Sequence, residues 1–378
     1  MVLGGGTGGL VAAHELRRRL ASKHRVVILD RSPDHLYQSS LLWQIVGQRR
    51  DDEIRRPLSR LSKKGIEFQN VEVEALELDR KVVRTSSGDV PYDYLVVSLG
   101  CHLVPETVPG FEDMALNLYD PRGCQQIHEA VERFTGGIIG IVITAMPFKC
   151  PAAPYEAAFL LESFFRKKGI RRNVEIHLFT PEHTPMPIAP AALGDAIADM
   201  LAARGIHYHP LYTFAEMRPD TREIVAADGR TDHVDLLIGV PPHQAPDVVR
   251  ASPLLGTSGF IHVDARTLRT DYDDVFAIGD VTTVKLPNGK ALPKAGVFAH
   301  FEAGVVAKQI GAAVRGRTSH AEFDGKGYCW IELGDGRAGF AGGNFYVDPE
   351  PNVKMRRPGR VLHWGKIAFE KWWLTRWF

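Results

Sequence analysis

The chain of 378 residues contains no uninterrupted apolar run of the roughly 18 residues that a membrane-spanning helix needs. It has almost no net charge: 46 Lys and Arg against 45 Asp and Glu leave +1. That balance excludes nucleic-acid binding through bulk positive charge. There are only four cysteines, Cys101, Cys124, Cys150 and Cys329. They are too few and too scattered for a disulfide scaffold, and no two have the spacing of a zinc-type pair, so no metal site is expected. Repeats and low-complexity tracts are missing, and no secretory leader is read at the N-terminus. The remaining composition, 44% hydrophobic and 24% charged, is that of a globular chain of two or three domains.

The chain opens on a phosphate-binding pattern. Gly4, Gly6 and Gly9 form G-x-G-x-x-G. A helical stretch (Leu10–Leu20) follows, then the strand Arg25–Leu29, ending in Asp30. An acid about 20 residues after the glycines is placed to hold a dinucleotide ribose. The glycines let the backbone approach a pyrophosphate, and the helix start offers free N–H groups and the positive end of the dipole. Met1–Leu3 is short for a buried strand, so a short first strand and a start further upstream both remain open.

Two distant segments complete this site. Tyr92–Leu99 is an apolar strand ending at Gly100. Tyr272–Ile278 is another, ending in Gly279-Asp280, and Pro293-Lys294-Ala295-Gly296 then leads into a helix from about Val297 to Ile310. Together these motifs resemble the FAD-binding domain of two-dinucleotide-fold flavoprotein reductases. The resemblance implies that the opening glycines bind the FAD pyrophosphate and Asp280 the ribityl chain. It puts Lys294 near the N1 edge of the flavin, where a positive charge favours the anionic reduced form; a solvated surface lysine is the alternative.

A second glycine loop is missing. The strand Ile138–Ile143 is followed by Thr144-Ala145-Met146-Pro147-Phe148-Lys149-Cys150-Pro151. No glycine stands there, and Pro147 with bulky neighbours would keep a pyrophosphate from the backbone. The next strand, Val174–Phe179, ends in Thr180 and not in an acid. The second dinucleotide fold is expected to persist without a nicotinamide site. Cys150 takes the place of the glycines. Pro151 reads as the first residue of a helix continuing through Glu156 to Phe165. A cysteine at a helix N-terminus beside Lys149 is expected to form a stabilised thiolate; a buried core cysteine is the competing reading.

Lys149–Glu156, Tyr328–Asp335, Gly123–Ala130 and Leu362–Lys371 are similar to segments of sulfide:quinone oxidoreductases, which share the first two with the flavoprotein subunit of flavocytochrome c sulfide dehydrogenases. The resemblance implies that Cys150 and Cys329 lie together against the flavin, joined by a disulfide or sulfur bridge. Sulfide would attack one sulfur. Two electrons would pass to FAD and on to a quinone, and sulfur would leave as persulfide or polysulfide. It gives Cys124 a part as third cysteine, and Glu156 a part in moving protons. His128 lies at i+4 from Cys124, where an imidazole can exchange a proton. An ordinary helix-face residue is the alternative for Cys124 and His128, and a glutamate of the helix's first turn for Glu156. Cys101 matches no family cysteine. A family histidine expected near Pro185–Pro187 is missing, and His183 is its only neighbour.

Residues 366–378 hold three of the six tryptophans. Phe369, Trp372, Trp373 and Trp377 can share an apolar face flanked by Lys366, Glu370 and Arg376, the composition of a helix lying in a membrane interface; docking on the protein's own core is the alternative. The family often continues into a longer C-terminal membrane hairpin, so an attachment that is shallow, reversible or completed by oligomerisation is expected here.

The expected fold is α/β with two Rossmann-like dinucleotide-binding domains and a C-terminal membrane-interface segment. An FAD domain occupies 1–102 and 232–316, a second dinucleotide-type domain 103–231, and a C-terminal domain 317–378. The expected protein is a peripheral, monotopic flavoenzyme with FAD as cofactor, sulfide and quinone as substrates, and a homo-oligomer as an option. The alternatives are a flavocytochrome c-type sulfide dehydrogenase with a cytochrome acceptor, a slow flavoprotein sensor of persulfide, and a type II NADH:quinone reductase-like enzyme.

Overall fold

The computed structural model describes residues 1–378. Strand β1 (Val2–Leu3) leads through the glycine turn into α1 (Thr7–Arg19) and β2 (Val27–Asp30). β3 (Glu67–Asn70) and β4 (Leu95–Val97) complete the first segment. The chain crosses to β5 (Ala115–Asn117), α2 (Pro121–Arg133), β6 (Gly137–Ile143) and α3 (Ala153–Lys167). β7 (Val174–Phe179), α4 (Ala191–Ala202), β8 (Ile206–His209) and β9 (Leu236–Val240) follow. It returns with β10 (Val275–Ala277) and α5 (Gly296–Ala313). It ends in β11 (Lys326–Glu332), β12 (Ala338–Asn344), β13 (Asn352–Gly359) and α6 (Arg360–Arg376).

Two five-stranded parallel sheets carry the architecture, in the orders β10-β4-β1-β2-β3 and β5-β9-β6-β7-β8. Their central strands are apolar runs such as Leu95-Val96-Val97 and Ile139–Ile143, buried throughout, as strands covered on both faces must be, while the edge strands β3 and β8 keep polar, partly exposed residues. β1 is short yet central: Val2 pairs with both Ile28 and Val96. An antiparallel sheet, β11-β12-β13, precedes the last helix.

Three sequence expectations are corrected. β9 lies within 232–316, assigned to the FAD domain, but it pairs between β5 and β6 in the second sheet, so the chain returns to the first domain only after Val240. Helix α3 begins at Ala153, with Pro154 in its first turn, so Pro151 is not its first residue. Cys150 stands before the helix at φ +46°, in the left-handed region that costs a side-chain-bearing residue about 1–2 kcal/mol.

The third correction concerns α6. Trp373 and Trp377 are only 2% and 6% exposed and pack into the core of the first domain, whereas Trp372 is 44% exposed. Lys366 and Glu370, expected on a polar rim, point inward. The physical reason is that partners wait inside: Glu370 accepts from Ser40 Oγ at 2.6 Å and from Arg49 Nη2 at 2.7 Å, and the indole of Trp373 stacks against His35. No helix is long and apolar enough to cross a membrane.

Candidate functional site

The glycine turn is built for close contacts. A Cβ on Gly4 would sit 2.5 Å from the Ser98 carbonyl, and one on Gly9 would sit 1.8 Å from the Gly4 carbonyl. Around Gly6, by contrast, nothing lies within 4 Å of where a Cβ would stand. Two glycines therefore let the chain pass itself, and the third leaves the backbone open to a ligand. Gly6 caps α1 without any side-chain hydrogen bond, and the first turn holds no acid, so its N–H groups are free for an anion. Asp30 accepts from the Gly5 N–H at 2.5 Å and the Ser32 N–H at 2.7 Å. Burial raises its pKa, and these hydrogen bonds lower it in part. The arrangement fits the pyrophosphate and ribose of a dinucleotide.

Gly100 (φ +69°) and Gly279 (φ +74°) end β4 and β10 in left-handed turns, and the Gly279 N–H donates to Glu302 Oε2 at 2.7 Å. Beside them Asp280 faces two cations. Burial pushes its carboxyl up in pKa, and Lys149 and Lys294 draw it down. Lys294 is not a solvated surface lysine. Its Nζ donates to the carbonyls of Asp280 (2.7 Å) and Thr282 (2.9 Å) and lies 3.4 Å from the centre of the Phe260 ring. Burial lowers its pKa to about 8. The Cys101 thiol adjoins this group and is pushed up to about 12 by burial.

Cys150 and Cys329 come together. They line one apolar cavity of about 1110 Å³, counting its open mouth, walled by the loops around Met146–Ala152, Met186–Ala189 and Ala291–Ala295 and by β11 and β12. Both are unbridged thiols that keep part of their surface accessible. Cys150 is held from both sides: its N–H donates to the Lys294 carbonyl at 2.7 Å, and its carbonyl accepts from Tyr119 Oη at 3.2 Å. Burial works against the expected stabilised thiolate. Burial is the chief cause that raises the Cys150 thiol well above its ordinary range; the neighbouring Cys329 and Glu156 add to it, and Lys366 opposes it. Cys329 is likewise pushed up to about 12 by burial. A residue ahead of the helix and enclosed by protein gains little from the helix dipole, which acts within the first turn.

Behind the thiols runs a buried chain of charges that the sequence did not disclose. Lys366 Nζ on α6 donates to Glu156 Oε2 at 2.8 Å and lies 3.8 Å from Glu332 Oε1. Glu156 also accepts from the Glu332 N–H at 2.8 Å, and Glu332 pairs with His363 Nδ1 at 3.0 Å. Burial alone would lower the Lys366 pKa, but Glu156 and Glu332 outweigh it and hold the ammonium above its ordinary value. The Glu332 carboxyl is raised, chiefly by burial, against the pull of Lys366 and His363.

Glu182 is a second residue missed from sequence. It lines the same cavity and accepts from Tyr155 Oη and from Thr180 Oγ1, while its Oε1 is buried without a partner. Burial raises its carboxyl to about 7. Thr180, noted as a departure from the expected acid, is the clue: two residues on stands the carboxyl.

Other expected participants lie elsewhere. Cys124 on α2 is fully buried, and its Sγ donates to the Leu118 carbonyl at 3.1 Å; it does not reach the cavity. Its neighbours are core side chains because Gly123 and Cys124 form the inner face of α2. His128 packs over Gly47 instead of facing the cysteine pair. His183 is exposed and outside the cavity lining.

Comparison with known proteins places this geometry. Residues 1–305 match the pyridine nucleotide-disulphide oxidoreductase family. A mitochondrial sulfide:quinone oxidoreductase of Mus musculus is 29% identical over 365 residues, covering 92% of this chain and 78% of its own. A sulfide-quinone reductase of Aquifex aeolicus is 27% identical over 397 residues, covering 100% of this chain and 90% of its own. The crystal structure of the sulfide:quinone oxidoreductase from Aquifex aeolicus superposes with a TM-score of 0.90 at 24% identity, over 100% of this chain and 90% of that one.

Proposed function

The chain belongs to the pyridine nucleotide-disulphide oxidoreductase family, and from that premise we propose that it is a sulfide:quinone oxidoreductase. One observation carries the reading. Two cysteines far apart in sequence share a cavity at the place where the second glycine loop would otherwise stand. A nicotinamide donor has no glycine turn to bind there, whereas a small sulfur nucleophile has two sulfurs to attack.

FAD, when bound, supplies the two-electron acceptor between sulfide and quinone. Gly4, Gly6, Gly9 and Asp30 would hold its dinucleotide end, and Gly100, Gly279, Asp280 and Lys294 the end toward the cavity.

The protein's own residues handle sulfur and protons. With Cys150 and Cys329 oxidised to a disulfide, HS⁻ attacks one sulfur: an S–S bond forms to the incoming sulfide and the old one breaks. The products are a persulfide on one cysteine and a thiolate on the other. Lys366, which draws both thiols down, stabilises the thiolate as it forms, and Glu156 with Glu332 keeps that ammonium charged. Glu182, titrating near 7 in the cavity wall, accepts the proton of an incoming H₂S or persulfide. The apolar lining excludes water around the reduced sulfurs and gives a lengthening sulfur chain room.

Quinone requires a membrane, and α6 offers a face for one. Val361 (83% exposed), Trp364 (69%) and Trp372 (44%) stand outward, with exposed Lys354, Arg356, Arg357, Arg360, Lys371 and Arg376 around them. Aromatic side chains in a basic rim suit an interface of anionic lipid. The anchoring face is thus the outward side of α6, while Trp373 and Trp377 hold the helix to the protein.

The test is anaerobic mixing of the yellow holoenzyme with sulfide and, separately, with NADH. Sulfide is expected to bleach the flavin band and NADH to leave it, and Cys150→Ser is expected to abolish the sulfide response. Bleaching by NADH alone would return the chain to the quinone reductases that use nicotinamide.

A further inference from the structure

A cluster of imidazoles stands on the second sheet, outside the cysteine cavity. β7 and β8 pair in parallel with His177 opposite His207 and Phe179 opposite His209. Side chains alternate along a strand, so Glu175 and His177 share one face of β7, and His207 and His209 the same face of β8. The other face, with Ile176, Leu178 and Ile206, is core.

The polar face is organised beyond simple proximity. One ligand atom each from Glu175, His177 and His207 lie within 4.8 Å of one another. His177 Nε2 is 3.2 Å from Glu175 Oε2, and its Nδ1 is 3.0 Å from His209 Nε2. The ring is therefore gripped on both nitrogens and stacks on His207, with centroids 4.4 Å apart. The Asp232 carboxylate is near enough to both His177 and His209 to add negative charge to this face.

We propose that Glu175, His177 and His207 form a binding site for a divalent transition metal ion, best matched by Zn²⁺, with His209 as the positioning residue behind His177. Two imidazoles and a carboxylate are a borderline donor set that suits Zn²⁺, with Ni²⁺ and Cu²⁺ as competitors. Zn–N and Zn–O bonds of about 2.0–2.2 Å put neighbouring donors of a tetrahedron about 3.4 Å apart. Glu175 and His207 are exposed and can close that difference by side-chain rotation. Binding at His177 Nε2 moves its proton to Nδ1, which then donates to His209 Nε2. That hydrogen bond fixes the tautomer and the ring plane, the usual support of a metal-bound histidine. Glu175 ceases to accept from His177 and becomes a ligand, so the carboxylate is used in both states. Three protein ligands leave the fourth position for water or a solute.

The experiment is calorimetric titration of chelator-treated holoenzyme with Zn²⁺ alone. One zinc equivalent is expected in the parent. His177→Ala and His207→Ala should each abolish it, and His209→Ala should weaken it by about 10–100-fold. A Cys150→Ser/Cys329→Ser variant should keep the equivalent, which separates this site from the thiols. Zinc should also raise the melting temperature of the parent and not of the His177→Ala/His207→Ala protein. Retained flavin in each variant reports that it has folded. The proposal is overturned if the parent takes up no zinc, if the double histidine variant binds it as the parent does, or if loss of the cysteines removes it.

Discussion

The indole Nε1 of Trp373 donates to His35 Nε2 at 3.1 Å, and the same imidazole donates from Nδ1 to the Gly5 carbonyl at 2.8 Å. The C-terminal helix therefore reaches, through one neutral histidine, the turn proposed to bind the pyrophosphate of FAD. The pair is buried, so neither hydrogen bond competes with water.

Replacing Trp373 by Phe keeps an aromatic ring but removes the indole N–H and its five-membered ring, leaving a cavity and the buried His35 Nε2 without its donor. The cost should be about 2–4 kcal/mol of stability, and flavin should leave faster on dilution. Thermal unfolding and the rise of free-flavin fluorescence measure the two effects. An unchanged flavin release rate would show that the helix does not support the turn.

His35 also fixes a pH dependence. Burial lowers its pKa to about 4 from its ordinary 6.5. Above 6.5 the ring is neutral both folded and unfolded, and contributes no slope. As pH falls toward 4 the unfolded chain gains a proton that the folded one refuses, so stability declines, by about 2 kcal/mol at pH 5. His14 and His243 act in the same direction. Denaturant unfolding between pH 7.5 and 5 should show this loss, and His35→Gln should remove its own share of the slope.

Lys366 is the single cation between Glu156 and Glu332. Lys366→Met leaves two buried carboxyls without it and should cost about 3–5 kcal/mol. Adding Glu156→Gln should restore a large part of that, because the unpaired charge goes too. Equilibrium unfolding of both single variants and the double variant decides the matter: losses that simply add would mean that the charges are not coupled.

Glu182→Gln tests the proton acceptor. Its neutral form dominates below about 7 and its carboxylate above. The carboxylate helps only while sulfide still arrives with a proton, whereas the variant depends on HS⁻ alone. The ratio of parent to variant rates of sulfide-driven flavin bleaching should therefore exceed one at and below about 7 and fall toward one as pH rises through it. A ratio of one at every pH would remove Glu182 from the proton path.

Outward tryptophans predict vesicle binding. Burying a large apolar side chain is worth roughly 1.5–3 kcal/mol, so Trp364→Ser with Trp372→Ser should lower partitioning onto anionic vesicles by more than about tenfold. Cosedimentation reads it, and added salt should weaken the parent through its basic rim.

The glycine turn, the two dinucleotide-type folds and the acid ending β2 could be read from sequence because each leaves a local signal: a spacing, an apolar run, a terminal acid. Resemblance brought Cys150 and Cys329 together; no spacing could. Lys366 was misread because an amphipathic helix looks alike whether its aromatic face meets lipid or its own core. The pattern of Trp373 and Trp377 carries no sign of Tyr37, His35 and His300 waiting opposite them. Glu182 and Glu332 carry no sequence signal of their burial, since residues distant in the chain cover them and write nothing into their neighbours. His177, His207 and His209 lie on two strands, where alternation aligns them only once the register is known.

On α6, Trp364 points out and Lys366, two residues on, points inward at Glu156. A helix with its side chains is about 10–12 Å across. The buried Lys366 ammonium thus sits roughly one helix diameter below the outer surface, carried by the same rod that presents Trp364 and Trp372 outward. Anything that tilts or lifts that rod moves Lys366 relative to Glu156 and Glu332. The proposed membrane foothold and the proposed support of the thiolate are thus side chains of one rigid element, and a load on the first is felt by the second.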